Sequence, residues 1–190
     1  MQPRPLRTCW WWIRSPNLAD AFQAPHRLAR AGYTMLGMQP IATDFCFTAR
    51  VELAAPITVG ELPQGIRRFV PILGGTVAGP RLSGSIAAGG GDWQTIISTR
   101  RIEVEARYFI RTNDDVLIAV FNRGLRHAEP DIMSRLCNGE VVPPDQYYFR
   151  TIPRFEAPID SPHAWLNDSL FVGTAERERA SAVIHFHRIL

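Results

Sequence analysis

The chain has 190 residues, 46% hydrophobic and 21% charged, with 15 prolines and 14 glycines. That composition suits one globular domain and excludes collagen, coiled coil and an all-disordered chain. All 21 basic residues are arginine, which excludes lysine Schiff-base chemistry and a P-loop lysine.

The charge is unevenly placed. Residues 1–38 hold five arginines against one acid, Asp20, whereas the rest hold 16 arginines and 17 acids. The pI near 9.1 thus belongs to the leader, and the body lacks the basic field that nucleic-acid binding needs. The apolar run from Cys9 to Ile13 ends at Arg14, well short of the roughly 7–15 residues of a signal-peptide core. No apolar run approaches the roughly 18–20 residues of a membrane span. Three scattered cysteines, Cys9, Cys46 and Cys137, argue against a disulfide framework and for a cytoplasmic protein.

Residues 1–40 mix Pro, Arg and Trp without alternation and read as a poorly ordered or artefactual leader ahead of a domain over 41–190. From Phe45 to Leu53 the odd positions are apolar and most even ones polar, the pattern of a half-buried strand. Pro56 and Gly60 mark a turn. Arg68–Leu73 and Arg81–Ala88 are short strand candidates, separated by Gly74-Gly75 and Gly79-Pro80. After the Gly89–Gly91 turn come a strand at Trp93–Ser98 and a hairpin of Ile102–Thr112 with Val116–Arg123. Pro130–Asn138, closed by Gly139, predicts a short helix, and Ser161-Pro162 starts a second over His163–Asn167. Strands are also predicted at Gln146–Thr151, Leu170–Thr174 and Ala180–Ile189. About nine or ten short strands with few helices predict an all-β fold, an antiparallel barrel or sandwich.

Chemistry is sparse. The glycine clusters lie between or within strands, not in the strand-to-helix setting of a dinucleotide fingerprint. Asp92, between a glycine run and Trp93, is either a turn cap or a partly desolvated carboxyl able to act as general acid or base. On strand alternation Tyr148 and Arg150 share one face, and Tyr147, Phe149 and Thr151 the other. A guanidinium facing into a barrel requires an acid or an anionic ligand; at the rim it makes an ion pair. Asn167 offers a donor and an acceptor to a ligand, or caps a turn. His185 and His187 share a face, but no third zinc ligand stands at a suitable spacing, so no metal is expected.

Taken in order, PxxxGxxPxGxRRxxPIxGGxxxGPxLxGxxxxGGxDW from Pro56 to Trp93, Ala106-Arg107-Tyr108, Asp114-Asp115, Tyr148-Phe149-Arg150-Thr151, Trp165-Leu166-Asn167 and Phe171-Val172-Gly173 form a connected pattern. It resembles the uncharacterised family called domain of unknown function 3237, the UPF0311 proteins, over about residues 42–189. The resemblance implies a small lipocalin-like antiparallel β-barrel and no agreed activity. It also implies a chain that starts just before the first strand, at Met35 or Met38. The family usually has Asp-Gly at the hairpin where this chain has Asp115-Val116, and often a glycine turn where Thr99-Arg100-Arg101 stands.

The resulting expectation is a small-molecule pocket with Asp92 and Arg150 as its catalytic pair. Trp93, Tyr108, Tyr148, Trp165 and Asn167 would contact the ligand. The chemistry would be a cofactor-independent isomerisation, cyclisation or hydration of a carbonyl or aromatic compound, the alternative being a barrel that only binds. No metal, cofactor, nucleic acid or membrane partner is expected. The oligomeric state is left open, a homodimer included.

Overall fold

The computed structural model describes residues 40–190; the expectations for the leader and for a start at Met35 or Met38 lie outside them. The chain forms β1 (Thr43–Leu53), β2 (Ile57–Leu62), β3 (Gly65–Ala78), β4 (Gly84–Ile86), β5 (Gly91–Ser98), β6 (Arg101–Thr112) and β7 (Leu117–His127). After helix α1 (Pro130–Cys137) come β8 (Tyr148–Glu156), β9 (Phe171–Arg177) and β10 (Ser181–Ile189). Every pairing is antiparallel, and β1 pairs with β10 on one side and β3 on the other, which closes the sheet on itself. Short β4 and β5 share the position between β3 and β6, and β2 extends the β1 side of β3. The result is a closed eight-strand antiparallel β-barrel. Closure joins β1 to both β10 and β3, while β8 and β9 pair only at Arg150–Thr174 and Thr151–Gly173.

Five elements differ from the pattern reading. Gly74 and Gly75, at φ 145° and 144°, bend β3 instead of ending it. A Cβ on Gly75 would lie 2.0 Å from the Arg50 carbonyl oxygen, so only glycine lets β1 and β3 approach there. β2 was not expected, because Ile57 and Val59 are exposed and no face of it alternates into the core. β8 continues through Pro153 to Glu156, and of the expected Arg81–Ala88 strand only Gly84–Ile86 pairs. The second helix is a single 3-10 turn, Ala164–Leu166.

Alternation fills the barrel unevenly. On β8, Phe149, Thr151, Pro153 and Phe155 point inward while Tyr148, Arg150, Ile152 and Arg154 point out. At one end Phe47, Phe155, Phe171 and Phe186 pack as a cluster, with centroids 4.9–5.6 Å apart. Buried aromatic pairs of this geometry each add about 0.5–1.5 kcal/mol beyond their area. Phe149 lies six residues from Phe155, roughly 20 Å along the strand, and there the inward positions turn polar. Helix α1, begun by Pro130 and followed by Gly139 at φ 78°, buries Met133 and Leu136.

Candidate functional site

The polar end is built by strand phase. Arg68 on β3 stands in phase with buried Val70 and Ile72, and Asp92 and Gln94 lie on the inner face of β5. On β7, buried Ile118, Val120, Asn122 and Arg126 are in phase, and on β9 Arg177 follows Phe171, Gly173 and Ala175. Arg68, Val70, Asp92, Gln94, Arg126 and Arg177 line a cavity of about 410 Å³ together with Leu53, Phe149, Ala182 and the C-terminal end of α1. Below it a narrower space of about 40 Å³ reaches Tyr108, Asn122 and Thr151. Asp92 lines both spaces.

Asp92 is held from two sides. Its Oδ1 accepts the Glu105 backbone N–H at 3.1 Å, and its Oδ2 accepts from Gln94 Nε2 at 2.5 Å. Burial pushes its carboxyl above the ordinary carboxylate value, against the lowering effect of these bonds and of Arg126 and Arg68. Such a group holds its proton to higher pH than a surface acid does.

The cavity is electropositive. Arg68, Arg126, Arg177 and exposed Arg179 line it against one carboxylate, Asp92. Arg126 is only 2% exposed. Burial, with repulsion from Arg68 and Arg177, brings its guanidinium down to about 10, still charged at neutral pH. Its Nε has no hydrogen-bond partner among the described residues, and its flat face lies 5.8 Å from the Phe149 ring. Arg177 gives one bond to the Ser181 carbonyl at 2.6 Å.

Deeper in, Tyr108 Oη, Asn122 Oδ1 and Thr151 Oγ1 are buried and likewise unpartnered among the described residues. Gly173 makes room here, since a Cβ on it would lie 2.3 Å from Thr151 Oγ1. Burial raises the Tyr108 phenol, which keeps it a neutral donor.

Of the residues singled out from the sequence, Asp92 and Tyr108 line this cavity and the others do not. Arg150 is corrected outright. Phe149 and Thr151 take the inner face of β8, so Arg150 points out, lies 5.2 Å over the Tyr148 ring and bonds the Phe149 carbonyl at 2.9 Å. It shares no cavity with Asp92. Arg150 and Tyr148 instead border an outer groove of about 800 Å³ with Ile152 and Val172. Trp93, 40% exposed, also faces out and packs on Phe69 at 4.9 Å. Trp165 sits by the aromatic cluster, 5.8 Å from Phe171 and under Arg81 at 4.5 Å. Asn167 clips the chain to Ala157, giving to its carbonyl and accepting from its N–H, each at 2.9 Å.

Arg68, Gln94, Arg126, Arg177, Asn122 and Thr151 were missed. The available signal was strand phase: Arg126 falls in step with Ile118, Val120 and Asn122 once the strand runs past Arg123. Among the described residues no three His, Cys, Asp or Glu gather as a metal site. His185 pairs with Thr48 at 2.8 Å, and His187 meets the Phe45 ring at 5.4 Å. No helix among the described residues is long and apolar enough to cross a membrane.

Fold and site together define a class: a closed antiparallel barrel, packed with aromatics at one end and opening at the other into an arginine-lined polar cavity. The chain belongs to the family described as protein of unknown function (DUF3237), whose model matches residues 41–189. A UPF0311 protein of Rhodopseudomonas palustris is 38% identical over 150 residues, 79% of this chain and 97% of that protein. The crystal structure of the R. palustris protein matches with a TM-score of 0.75, covering 80% of this chain and all of that one. A beta-barrel like protein of Acinetobacter baumannii matches at 32% identity and TM-score 0.69, over 80% of this chain and 98% of that one. A structure described as an enzyme from Penicillium herquei shares the fold at 21% identity and TM-score 0.59, covering 80% of this chain and 97% of that one.

Proposed function

We propose that the barrel is a lipocalin-like, cytoplasmic enzyme that moves a proton on a small carbonyl or aromatic compound, as in isomerisation, cyclisation or hydration, with no organic cofactor. The observation that carries this reading is the set of unpartnered buried atoms, Tyr108 Oη, Asn122 Oδ1 and Thr151 Oγ1, around the cavity that Asp92 lines. Each such atom costs about 1–3 kcal/mol when left unpaired. Valine or phenylalanine would fill a merely structural interior without that cost, and the three oxygens together suit an oxygen-bearing guest seated beside Asp92.

The roles follow from protonation chemistry. Asp92, desolvated but ligand-accessible, gives or takes the proton. Tyr108, kept neutral, donates to the oxygen on which negative charge develops. Arg126 adds a fixed positive charge at the upper edge, the role expected from the sequence for Arg150. The unpaired cysteines Cys46 and Cys137 support the cytoplasmic setting.

The test is hydrogen exchange. Small ketones and enones are incubated with the full chain in D₂O, and loss of the proton α to the carbonyl is followed by NMR. The wild type should exchange it, and Asp92→Asn should slow that exchange about 100-fold or more. Compounds that raise the melting temperature yet neither exchange nor convert would leave a barrel that only binds.

A further inference from the structure

The arginines at the cavity's upper end ask for more than a carbonyl oxygen. Arg126 is almost wholly buried, and its Nε points to no acceptor among the described residues. Among the described residues none of Arg68, Arg126 and Arg177 forms an ion pair with a carboxylate. Arg68 spends its Nε on Gln94 at 2.7 Å, and Arg177 spends one nitrogen on the Ser181 carbonyl. By contrast, surface arginines of the same barrel, such as Arg50, Arg100 and Arg107, are paired with Glu178, Glu129 and Glu105. A buried cation that makes no direct ion pair is strongly disfavoured, and here Arg68, Arg177 and Arg179 face the same space. Asp92 is the one acid lining it among the described residues, and Gln94 already takes one of its oxygens.

We propose that the ligand is an oxygenated organic carboxylate, its carboxylate seated between Arg126 and Arg177 and its second oxygen function lowered toward Tyr108, Asn122 and Thr151. The Nε–Nη edge of a guanidinium presents two parallel donors that match the two oxygens of a planar carboxylate. Phe149, Leu53 and Ala182 line the path between the charged end and the deep end, so the body joining the two functions is apolar or aromatic. A keto or hydroxy acid with such a body satisfies Arg126 and the deep orphan atoms at once. The inference builds on the proton-transfer reading only in taking the deep end as the reacting end.

The probes are 3-benzoylpropionate, its neutral amide, and phenyl phosphate, titrated calorimetrically into the full chain at fixed ionic strength. The acid should bind about 10- to 100-fold more tightly than the amide, the range of one charge-assisted hydrogen bond. Arg126→Gln should bring the acid down to the affinity of the amide, and Arg150→Gln, on the outer face, should leave both unchanged. If Arg126→Gln fails to fold, Arg177→Gln at the cavity wall serves, with a smaller loss of the same sign. Equal affinity for acid and amide, or undiminished acid binding in the arginine variants, overturns the proposal. Tighter binding of phenyl phosphate than of the acid overturns the carboxylate assignment. Acid binding without any proton exchange would fail the catalytic reading and leave this site standing. Exchange of neutral ketones with no preference for acids would do the reverse.

Discussion

Arg68 and Asp92 face the same cavity but do not touch, because Gln94 stands between them. Its Oε1 accepts from Arg68 Nε at 2.7 Å and its Nε2 donates to Asp92 Oδ2. A direct guanidinium–carboxylate pair would hold the acid ionised well below its ordinary range. Interposing a neutral amide keeps the positive charge one residue away, so burial wins and the carboxyl stays raised. The relay also gives Gln94 one orientation, since a flipped amide would turn its NH₂ toward Arg68.

Gln94→Glu should therefore alter the chemistry more than the fold. The new carboxylate would pair with Arg68 and lie against Asp92, so that two acids share one hydrogen-bonded site. Like charges at that distance titrate as a pair, with the upper step raised. Carboxyl ¹³C chemical shifts followed against pH should show an ionisation above that of wild-type Asp92. An unmoved titration would mean that Gln94 does not govern the acid.

The raised carboxyl has a stability consequence whose sign is fixed. The folded state binds the Asp92 proton more tightly than the unfolded state, which releases it near the ordinary value of 3.8. Stability attributable to this group is therefore greatest below that value. It falls as pH rises from there through the folded-state ionisation, and is level above it. Asp92→Asn cannot ionise and also loses the accepting oxygen for Gln94, a loss that does not depend on pH. The melting temperature of the variant minus that of the wild type should thus climb with pH across that window and then flatten. A difference that is constant with pH would show that Asp92 titrates normally.

Tyr108→Phe separates stability from function. The hydroxyl is buried without a partner among the described residues, so removing it deletes an unpaid desolvation. Stability without ligand should rise by about 1 kcal/mol in urea denaturation. Binding of an oxygenated ligand, or its turnover, should fall. Loss of stability on this change would mean that the hydroxyl is satisfied in the free protein.

The barrel was readable where a strand buries one face and wets the other, as at Ile102–Thr112, whose inner residues are all buried or half-buried. It was unreadable at β2, which pairs with β3 yet packs neither face inside. The site was harder for a chemical reason. A charged residue in a strand is ordinarily assigned to the wet face, and Arg126 and Arg68 break that rule because the cavity is built for polar contents. Arg150 was misplaced because the expectation turned Tyr148 and Arg150 inward, whereas buried Phe149 and Phe155 share the other parity of β8. Asp92 and Tyr108 were reachable because a glycine run and an alternating strand marked their positions.

Asn167 provides the last test, because the sequence offers it as a ligand group and the structure gives it another task. Its side-chain amide makes a closed pair with the Ala157 backbone, both bonds at 2.9 Å. That pair ties the end of the 3-10 turn at Ala164–Leu166 to the segment leaving β8, and so holds Leu166, 1% exposed, in the core. Asn167→Ala removes both bonds but leaves the Ala157 groups near solvent, so the cost should be moderate, about 1–2 kcal/mol in urea denaturation. Affinity for 3-benzoylpropionate should stay within about twofold of wild type, since Asn167 does not line the cavity. Asn167→Asp keeps the acceptor for the Ala157 N–H and sets a carboxylate oxygen against the Ala157 carbonyl, so it should cost at least as much as alanine. Unchanged stability with weakened binding would instead return Asn167 to the ligand.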